Sequence, residues 1–444
     1  MALDLQKYNF HWREGFAYGF PQKRELYHRL VPRMKERQII SIIGLRRTGK
    51  TTLLKQFIDQ LIADGVRREH VLFYSFDEEQ PSLREILQEY ATRMGKELIA
   101  MPERVYVFLD EVQKLQNWQN QIKYFYDHIP SVKFVISGSS SLFIRRQSQE
   151  SLAGRIYELR LHPLSFREFL LFSGKDELRE KKGLFAEALA SEFLSYLRRQ
   201  FIETIGKSDD DVAAYVKSIV EKVVYQDIPT LFPIEYEGLL LRILAIVASH
   251  PGMLSDYQGL ARELGINRVT LSNYFFYLEE SFLLRKLYNF SKNRLTSEKK
   301  MKKIYLTTPS FFAALNKNVA ESEAVENLIV TQLEGVFFWR DPQKHEVDLV
   351  IERDGGILPV EVKWKEAVDR KDIKGLVKFC GVFGCSAGMV ITKGLAKEES
   401  ITAHGRIIAI RYMPAWQYLL EQSENERSAG ARRAGGEVQP AAQD

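Results

Sequence analysis

The sequence predicts an α/β protein: a doubly wound parallel sheet first, then a helical stretch, then a smaller α/β unit. Three observations predict it. Short apolar runs alternate with longer amphipathic stretches over residues 38–161. A helical, charged segment follows. Beyond Val325 a helix leads into a hairpin signal and a second α/β stretch ending near Leu420. The chain has 444 residues, 45% of them hydrophobic and 27% charged. At roughly 150 residues per domain this gives about three domains, large enough to bury cores without disulfide or metal staples.

The runs QIISII (38–43), VLFYSF (71–76), VYVFL (105–109), VKFVI (132–136) and IYELRL (156–161) are continuous rather than alternating. Continuous hydrophobicity means strands covered on both faces, and the intervening helical patterns make the sheet parallel. Helices are expected at Leu239–Ser249, Asp256–Leu264 and Arg268–Glu280, with Gly265-Ile266-Asn267 as a short turn between the last two. That is helix-turn-helix spacing. Phe282–Phe290 and Lys303–Thr307 would then form a hairpin. The tail, residues 423–444, is poor in large apolar residues and reads as disordered.

No apolar run approaches the ~18 residues of a membrane helix, and the first residues contain no apolar signal core. The expected location is cytoplasmic. The two cysteines, Cys380 and Cys385, have no second pair or nearby histidines and read as reduced core thiols, not zinc ligands. A net charge of +5 is only mildly basic, so the placement of charge matters more than its sum.

Gly44, Leu45, Arg46, Arg47, Thr48, Gly49, Lys50 and Thr51 fit G-x4-G-K-[ST], with Thr52 next, between a predicted strand and a predicted helix. The glycines let backbone N–H groups wrap phosphates, and the helix start adds positive potential. Lys50 is expected at the β- and γ-phosphates of ATP and the Thr51 hydroxyl on Mg²⁺. Asp110 and Glu111 end the third strand. Asp110 is expected to hold Mg²⁺ through water, and Glu111 to polarise the attacking water. The fourth strand ends in Ser137-Gly138-Ser139-Ser140. Ser137 or Ser139, which sequence does not separate, would contact the γ-phosphate or the water. Arg155 precedes the fifth strand and is taken as the arginine finger, in cis or from a neighbouring subunit, with Arg145 and Arg146 competing.

GLRRTGKTTLL, VFLDEVQ, VISGSSS and SLAGRIYELRLHPLSFREFL resemble the AAA-type P-loop ATPases of archaea and bacteria that carry a C-terminal restriction-endonuclease-like domain of unknown function. These are often placed near signalling (STAND-like) and origin-recognition ATPases. The resemblance implies an ATPase domain over 1–175, a helical lid or linker over 176–230, a winged helix over 231–310 and a nuclease-like domain over 311–422. It also implies a homo-oligomer. Two departures are visible. Arg198-Arg199-Gln200-Phe201 stands where such proteins carry a glycine-aromatic-proline turn, and Thr307-Thr308 where they end the wing with an aspartate.

In the middle region, Asn267 and Arg268 begin the last helix with groups suited to a groove or to phosphates. Arg285, Lys286, Lys292, Arg294, Lys299, Lys300, Lys302 and Lys303, against the single acid Glu298, make the hairpin a basic footprint for DNA.

At the C-terminal side, HEVDLVIE and ILPVEVKW flank Asp354-Gly355, a two-residue hairpin signal. That turn sets Asp348 opposite Glu361 and Glu346 opposite Lys363, all on one face, with Val347, Leu349, Ile351, Val360 and Val362 on the other. The D-x12-E-V-K pattern resembles the PD-(D/E)xK nuclease core. By that resemblance Glu326 is a supporting acid, Asp348 and Glu361 bind Mg²⁺, Lys363 positions water, and Lys374 contacts phosphate. The reading is an ATP-hydrolysing switch acting on DNA. Its alternatives are a signalling or scaffold ATPase that binds without cutting, and a nuclease whose assembly ATP licenses.

Overall fold

A computed structural model describes residues 3–139, 152–293, 297, 301–353, 356–403 and 405–422. The chain forms two compact units, with the break after Pro163. The expected first boundary was 175. The difference arises because Phe166, Phe169 and Leu170, on the helix Phe166–Phe172, pack in one core cluster with Leu349, Val360 and Trp416 of the second unit.

The first unit holds β1 (Ile39–Ile43), β2 (Val71–Ser75), β3 (Val105–Asp110), β4 (Val132–Gly138) and β5 (Ile156–Arg160), in the order β2-β3-β4-β1-β5. Every pairing is parallel. β1 and β4 are buried along their whole length, while the edge strand β5 is half-buried throughout. The helix Lys50–Ala63 lays Leu53, Leu54, Phe57, Ile58 and Leu61, spaced by three and four residues, onto Ile40 and Ile42. Ser82 opens the helix Leu83–Met94 with a capping box, and left-handed Gly95 closes it.

Residues 9–12, to which sequence assigned no role of their own, cover the β2 edge. Asn9 Nδ2 donates to Phe73 O at 2.9 Å, and its Oδ1 accepts from Phe73 N at 2.6 Å. His11 Nε2 and Trp12 Nε1 both donate to Val71 O at 2.8 Å. Side chains thus satisfy an edge that would otherwise present unpaired backbone groups.

The second unit carries helices Ala186–Arg198, Asp209–Lys222, Glu237–Ser249, Tyr257–Leu264 and Arg268–Glu280. At the first departure noted above, Arg198 and Arg199 pair with Asp209 of the following helix at 2.9 and 2.5 Å. At the second, Thr308 donates its hydroxyl to Gln200 Oε1.

The remaining strands are β6 (Met253–Leu254), β7 (Leu284–Asn289), β8 (Lys303–Leu306), β9 (Phe337–Arg340), β10 (Glu346–Arg353), β11 (Gly356–Lys363), β12 (Ala387–Thr392), β13 (Lys397–Ala403) and β14 (Arg406–Pro414). Among the described residues they make one sheet, ordered β13-β14-β12-β11-β10-β9-β7-β8-β6. The β7–β8 hairpin is therefore continuous with the C-terminal strands: Tyr288 and Asn289 pair with Phe337 and Phe338. No break in the sheet falls at residue 310.

Antiparallel β10 and β11 have the expected register, with Leu349 facing Val360 and Arg353 facing Gly356. Asp354 and Gly355 lie outside the described residues. One side-chain placement differs from expectation. The register of β10 against β9 shifts between Val347 and Val350, and both pack with Trp339 and Phe379, apart from Leu349, Val360 and Val362. A bulge of this kind breaks the period-two alternation locally.

Candidate nucleotide site and a second acidic face

β1 delivers the chain into the loop at Gly44. A Cβ there would stand 2.3 Å from Leu161 O, so only glycine lets the end of β5 approach. Leu161 N donates to Ile43 O at 2.7 Å and fixes that approach. Arg47 (φ 66) and Gly49 (φ 95) turn the loop back into the helix that begins at Lys50. Thr48 Oγ1 closes it on Leu45 O at 2.8 Å. The buried Arg24 guanidinium braces it from outside, donating to Thr48 O at 2.7 Å and His162 O at 2.8 Å. Sequence missed Arg24, which carries no motif. Lys50 Nζ donates to Gly44 O and Leu45 O at 3.0 and 3.2 Å, so the ammonium lies in the bowl of the loop.

β4 separates β1 from β3, yet Thr51 Oγ1 donates to Asp110 Oδ2 at 2.7 Å. Ser137 donates its hydroxyl to Asp110 Oδ1. Burial, together with the neighbouring Glu111 charge, pushes the Asp110 carboxyl above its usual range. Glu111 sits in the left-handed region (φ 53), and its Oε2 accepts from Gln113 Nε2 at 2.5 Å and Ser139 Oγ at 3.2 Å. The two serines are thereby separated: Ser137 orients Asp110, whereas Ser139 and Gln113 orient Glu111. Gln113 was missed, although its position two residues beyond Glu111 is the only signal sequence offers. Thr51 and Asp110 are hard oxygen donors at the loop's mouth and fit a Mg²⁺ whose other ligands come from nucleotide phosphates and water.

Arg155 is not at this mouth. It precedes the amino end of β5, where its carbonyl accepts from Ile39 N at 2.8 Å, and its guanidinium pairs with Asp127 at 2.9 Å. The loop follows the opposite end of β1. A finger in cis is excluded by the length of the strand, since five residues span roughly 16 Å. Register brings Arg160, not Arg155, level with Ile43. Arg145 and Arg146 lie outside the described residues.

In the second unit Glu326, on the helix Glu321–Gln332, does join Asp348 and Glu346. What joins them is Lys303. Its Nζ stands 2.5 Å from Glu346, 3.3 Å from Glu326 and 3.6 Å from Asp348. Tyr305 donates to Glu326 at 2.7 Å, Arg340 pairs with Glu346 at 3.1 Å, and Lys363 pairs with Glu361 at 2.5 Å. The second Asp348 oxygen accepts from Val362 N at 2.9 Å. Burial would depress the Lys303 ammonium, but Tyr305 and the Glu326, Asp348 and Glu346 carboxylates raise it well above the ordinary value. Burial and the Asp348 charge raise the Glu361 carboxyl, whose Oε2 has no hydrogen-bond partner.

These residues do not fit a divalent metal as they stand. Among the described residues no three or more His, Cys, Asp or Glu side chains are placed to hold one. A dication on the same oxygens would sit within roughly 5 Å of the Lys303 ammonium, a repulsion of about 7 kcal/mol at an effective dielectric near 20.

Lys303, expected on a DNA-facing wing, is only 5% exposed. The other cations of the basic run also sort by environment. Arg285 donates to Gly335 O at 2.8 Å, Lys286 pairs with Glu279 at 2.8 Å, and Lys302 lies 5.1 Å over the Tyr288 ring. Lys292 is exposed. Arg294, Lys299 and Lys300 lie outside the described residues. Asn267 is exposed but caps its helix, accepting from Thr270 N at 2.8 Å, and Arg268 beside it is exposed. Cys380 and Cys385 are buried free thiols. No helix among the described residues is long and apolar enough to cross a membrane.

Residues 36–170 match the AAA domain family. This part of the chain is similar to AAA-type P-loop domains. Residues 204–322 and 317–413 match two domains of unknown function. An uncharacterized protein of Haemophilus influenzae is 25% identical over 59% of this chain and 66% of its own length. One of Methanocaldococcus jannaschii is 24% identical over 90% of this chain and 89% of its own. Among solved structures, Cdc6p from Pyrobaculum aerophilum aligns over 68% of this chain and 94% of that chain with 14% identity and a TM-score of 0.29. AMPPCP-bound DnaA from Aquifex aeolicus aligns over 58% and 86% with 14% identity and a TM-score of 0.27. Alignments this loose carry no weight for fold or function.

Proposed function

We propose that the protein is an ATP-hydrolysing switch that engages DNA. The observation that carries the first part is the paired orientation of the two acids: Asp110 held by Thr51 and Ser137, Glu111 held by Gln113 and Ser139. A protein that only stored nucleotide would need no oriented base. In this reading the loop's N–H groups and Lys50 hold the phosphates, and a Mg²⁺ held on the side of Thr51 and Asp110 would supply neutralisation of the charge developing there. Glu111 takes a proton from water as its oxygen attacks the γ-phosphorus and the bond to the β-phosphate oxygen breaks, leaving ADP and phosphate. Gln113 and Ser139 are positioning residues for Glu111. Arg155 is left for a trans contact in a homo-oligomer, where its release from Asp127 would have to come first.

DNA contact is assigned to a winged helix, with Arg268 at the head of its last helix and the Lys292–Lys302 hairpin segment as wing. The support is exposure at Arg268 and Lys292 and the local excess of basic residues. The engagement of Lys303 by three carboxylates favours binding without cutting, the scaffold-like reading, for the C-terminal sheet. The test is duplex-DNA affinity of the full chain across a salt series, with phosphate release measured in parallel. Affinity should fall steeply with salt, and neutralising Arg268, Lys299 and Lys300 together should lower the log–log slope by up to ~3, about one per phosphate contact. An unchanged slope removes DNA from the proposal and leaves an ATPase scaffold.

A further inference from the structure

The cation of the acidic face comes from the chain itself. We propose that the Lys303 ammonium occupies the place a divalent metal takes in a nuclease-like core, so that the face formed by Glu326, Glu346 and Asp348 is an internal charge clasp. The inference is independent of whether ATP is hydrolysed or DNA bound.

Geometry carries it. Lys303 arises from β8, whose sheet neighbours are β6 and β7, whereas Glu346 and Asp348 belong to β10, beyond β7 and β9 in the strand order. The lysine therefore reaches along the sheet face to strands with which β8 shares no backbone hydrogen bond. Its side chain is 6% exposed and that of Asp348 9%, so the contact is not a solvated surface pair of marginal worth. A buried ammonium needs compensating anions, and buried carboxylates need cations or hydrogen bonds. Each supplies the other here. Tyr305, two residues along β8, adds a hydrogen bond to Glu326 at 2.7 Å, so one strand supplies both a cation and a donor. Asp348 is fixed from its other side by Val362 N. Between them these contacts use oxygens a metal would need.

The chemical consequence is specific. A divalent cation on carboxylates lowers the pKa of bound water and makes a nucleophile at neutral pH, whereas an ammonium offers only charge and hydrogen bonds. The clasp ties the β7–β8 hairpin to the C-terminal strands and neutralises the face without equipping it for hydrolysis. The Glu361 Oε2 atom, which lacks a hydrogen-bond partner, does not alter this, because its other oxygen is taken by Lys363.

The test is Mn²⁺ binding to the nucleotide-free full chain by calorimetry, for the parental protein, Lys303→Ala, Asp348→Asn and the double variant. The parental protein should show no Asp348-dependent Mn²⁺ site. Lys303→Ala should gain one, together with a Tm that rises as Mn²⁺ is added, and the double variant should lose both. Lys303→Gln, which keeps the stem but not the charge, repeats the test if alanine unfolds the unit. A parental Mn²⁺ site abolished by Asp348→Asn overturns the proposal, as does a folded Lys303 variant that gains no site. Should neither variant fold, the parental titration decides alone: an Asp348-dependent site refutes the clasp, and its absence supports it.

Discussion

Among the described residues, two lysines are buried at places where sequence predicts chemistry, and they differ in what surrounds them. Lys50 donates to the neutral carbonyls of Gly44 and Leu45. Lys303 faces three carboxylates. A buried cation whose hydrogen bonds go to backbone carbonyls, with the Asp110 carboxylate acting on it through space, keeps charge for an arriving anion. One held by carboxylates is already neutralised, and withdrawing it leaves uncompensated negative charge. Burial alone therefore does not distinguish a ligand-binding lysine from a structural one; the charge of its partners does.

The largest expected contrast follows from exchanging each lysine for alanine. Lys50→Ala should reduce ATP turnover by about 10²–10³-fold, the loss usual for a preorganised charge at the reacting group, with little change in Tm. Lys303→Ala should leave ATP turnover at the parental rate yet destabilise the second unit by about 3–5 kcal/mol, as removal of one partner of a buried pair does. Phosphate release and thermal unfolding of both variants check this, and a Lys303 variant of parental stability would erase the contrast.

A smaller effect belongs to the first unit alone. His11 is fully buried, its Nε2 donates to Val71 O, and burial depresses its pKa to about 4. Its unfolded value is near 6.5. Stability is thus complete above pH 6.5 and is lost as pH falls from there to 4, because only the unfolded chain takes up the proton. The full loss is about 3 kcal/mol. Unfolding of His11→Gln followed from pH 7 to 4 should show a shallower acid decline than the parental protein. The Lys303 clasp should not contribute to that difference.

The smallest effect concerns the β2 edge. Asn9→Ala removes two backbone-directed bonds to Phe73 and should cost about 1–3 kcal/mol, read as faster hydrogen exchange across Val71–Ser75. Unchanged exchange there would mean that the N-terminal segment does not secure the strand.

These two regions also show what sequence can carry. The phosphate loop, its strand and its helix occupy residues 39–63, and local spacing fixes their geometry. The acids of β3 and the order of buried runs were legible for the same reason. The register of β10 on β11 was legible too, because the Asp354-Gly355 signal in the sequence predicts it. Lys303 was not. It ends a basic run with no local mark separating it from Lys302, and its partners lie from 23 to 45 positions further along. Arg155 was misplaced although a parallel sheet already puts whatever precedes a strand at its amino edge, away from the loop that follows β1. Arg24 and Gln113 act through contacts that no short pattern announces.

Glu111→Gln tests the central claim most directly. The substitution keeps size and removes only the proton acceptor. ATP binding, measured by calorimetry, should stay within a few-fold of the parental value, while steady-state phosphate release should fall by about 10²–10⁴-fold. Phosphate release at the parental rate, with binding retained, would contradict the assignment of Glu111 as the base and with it the reading of this site as hydrolytic through that residue.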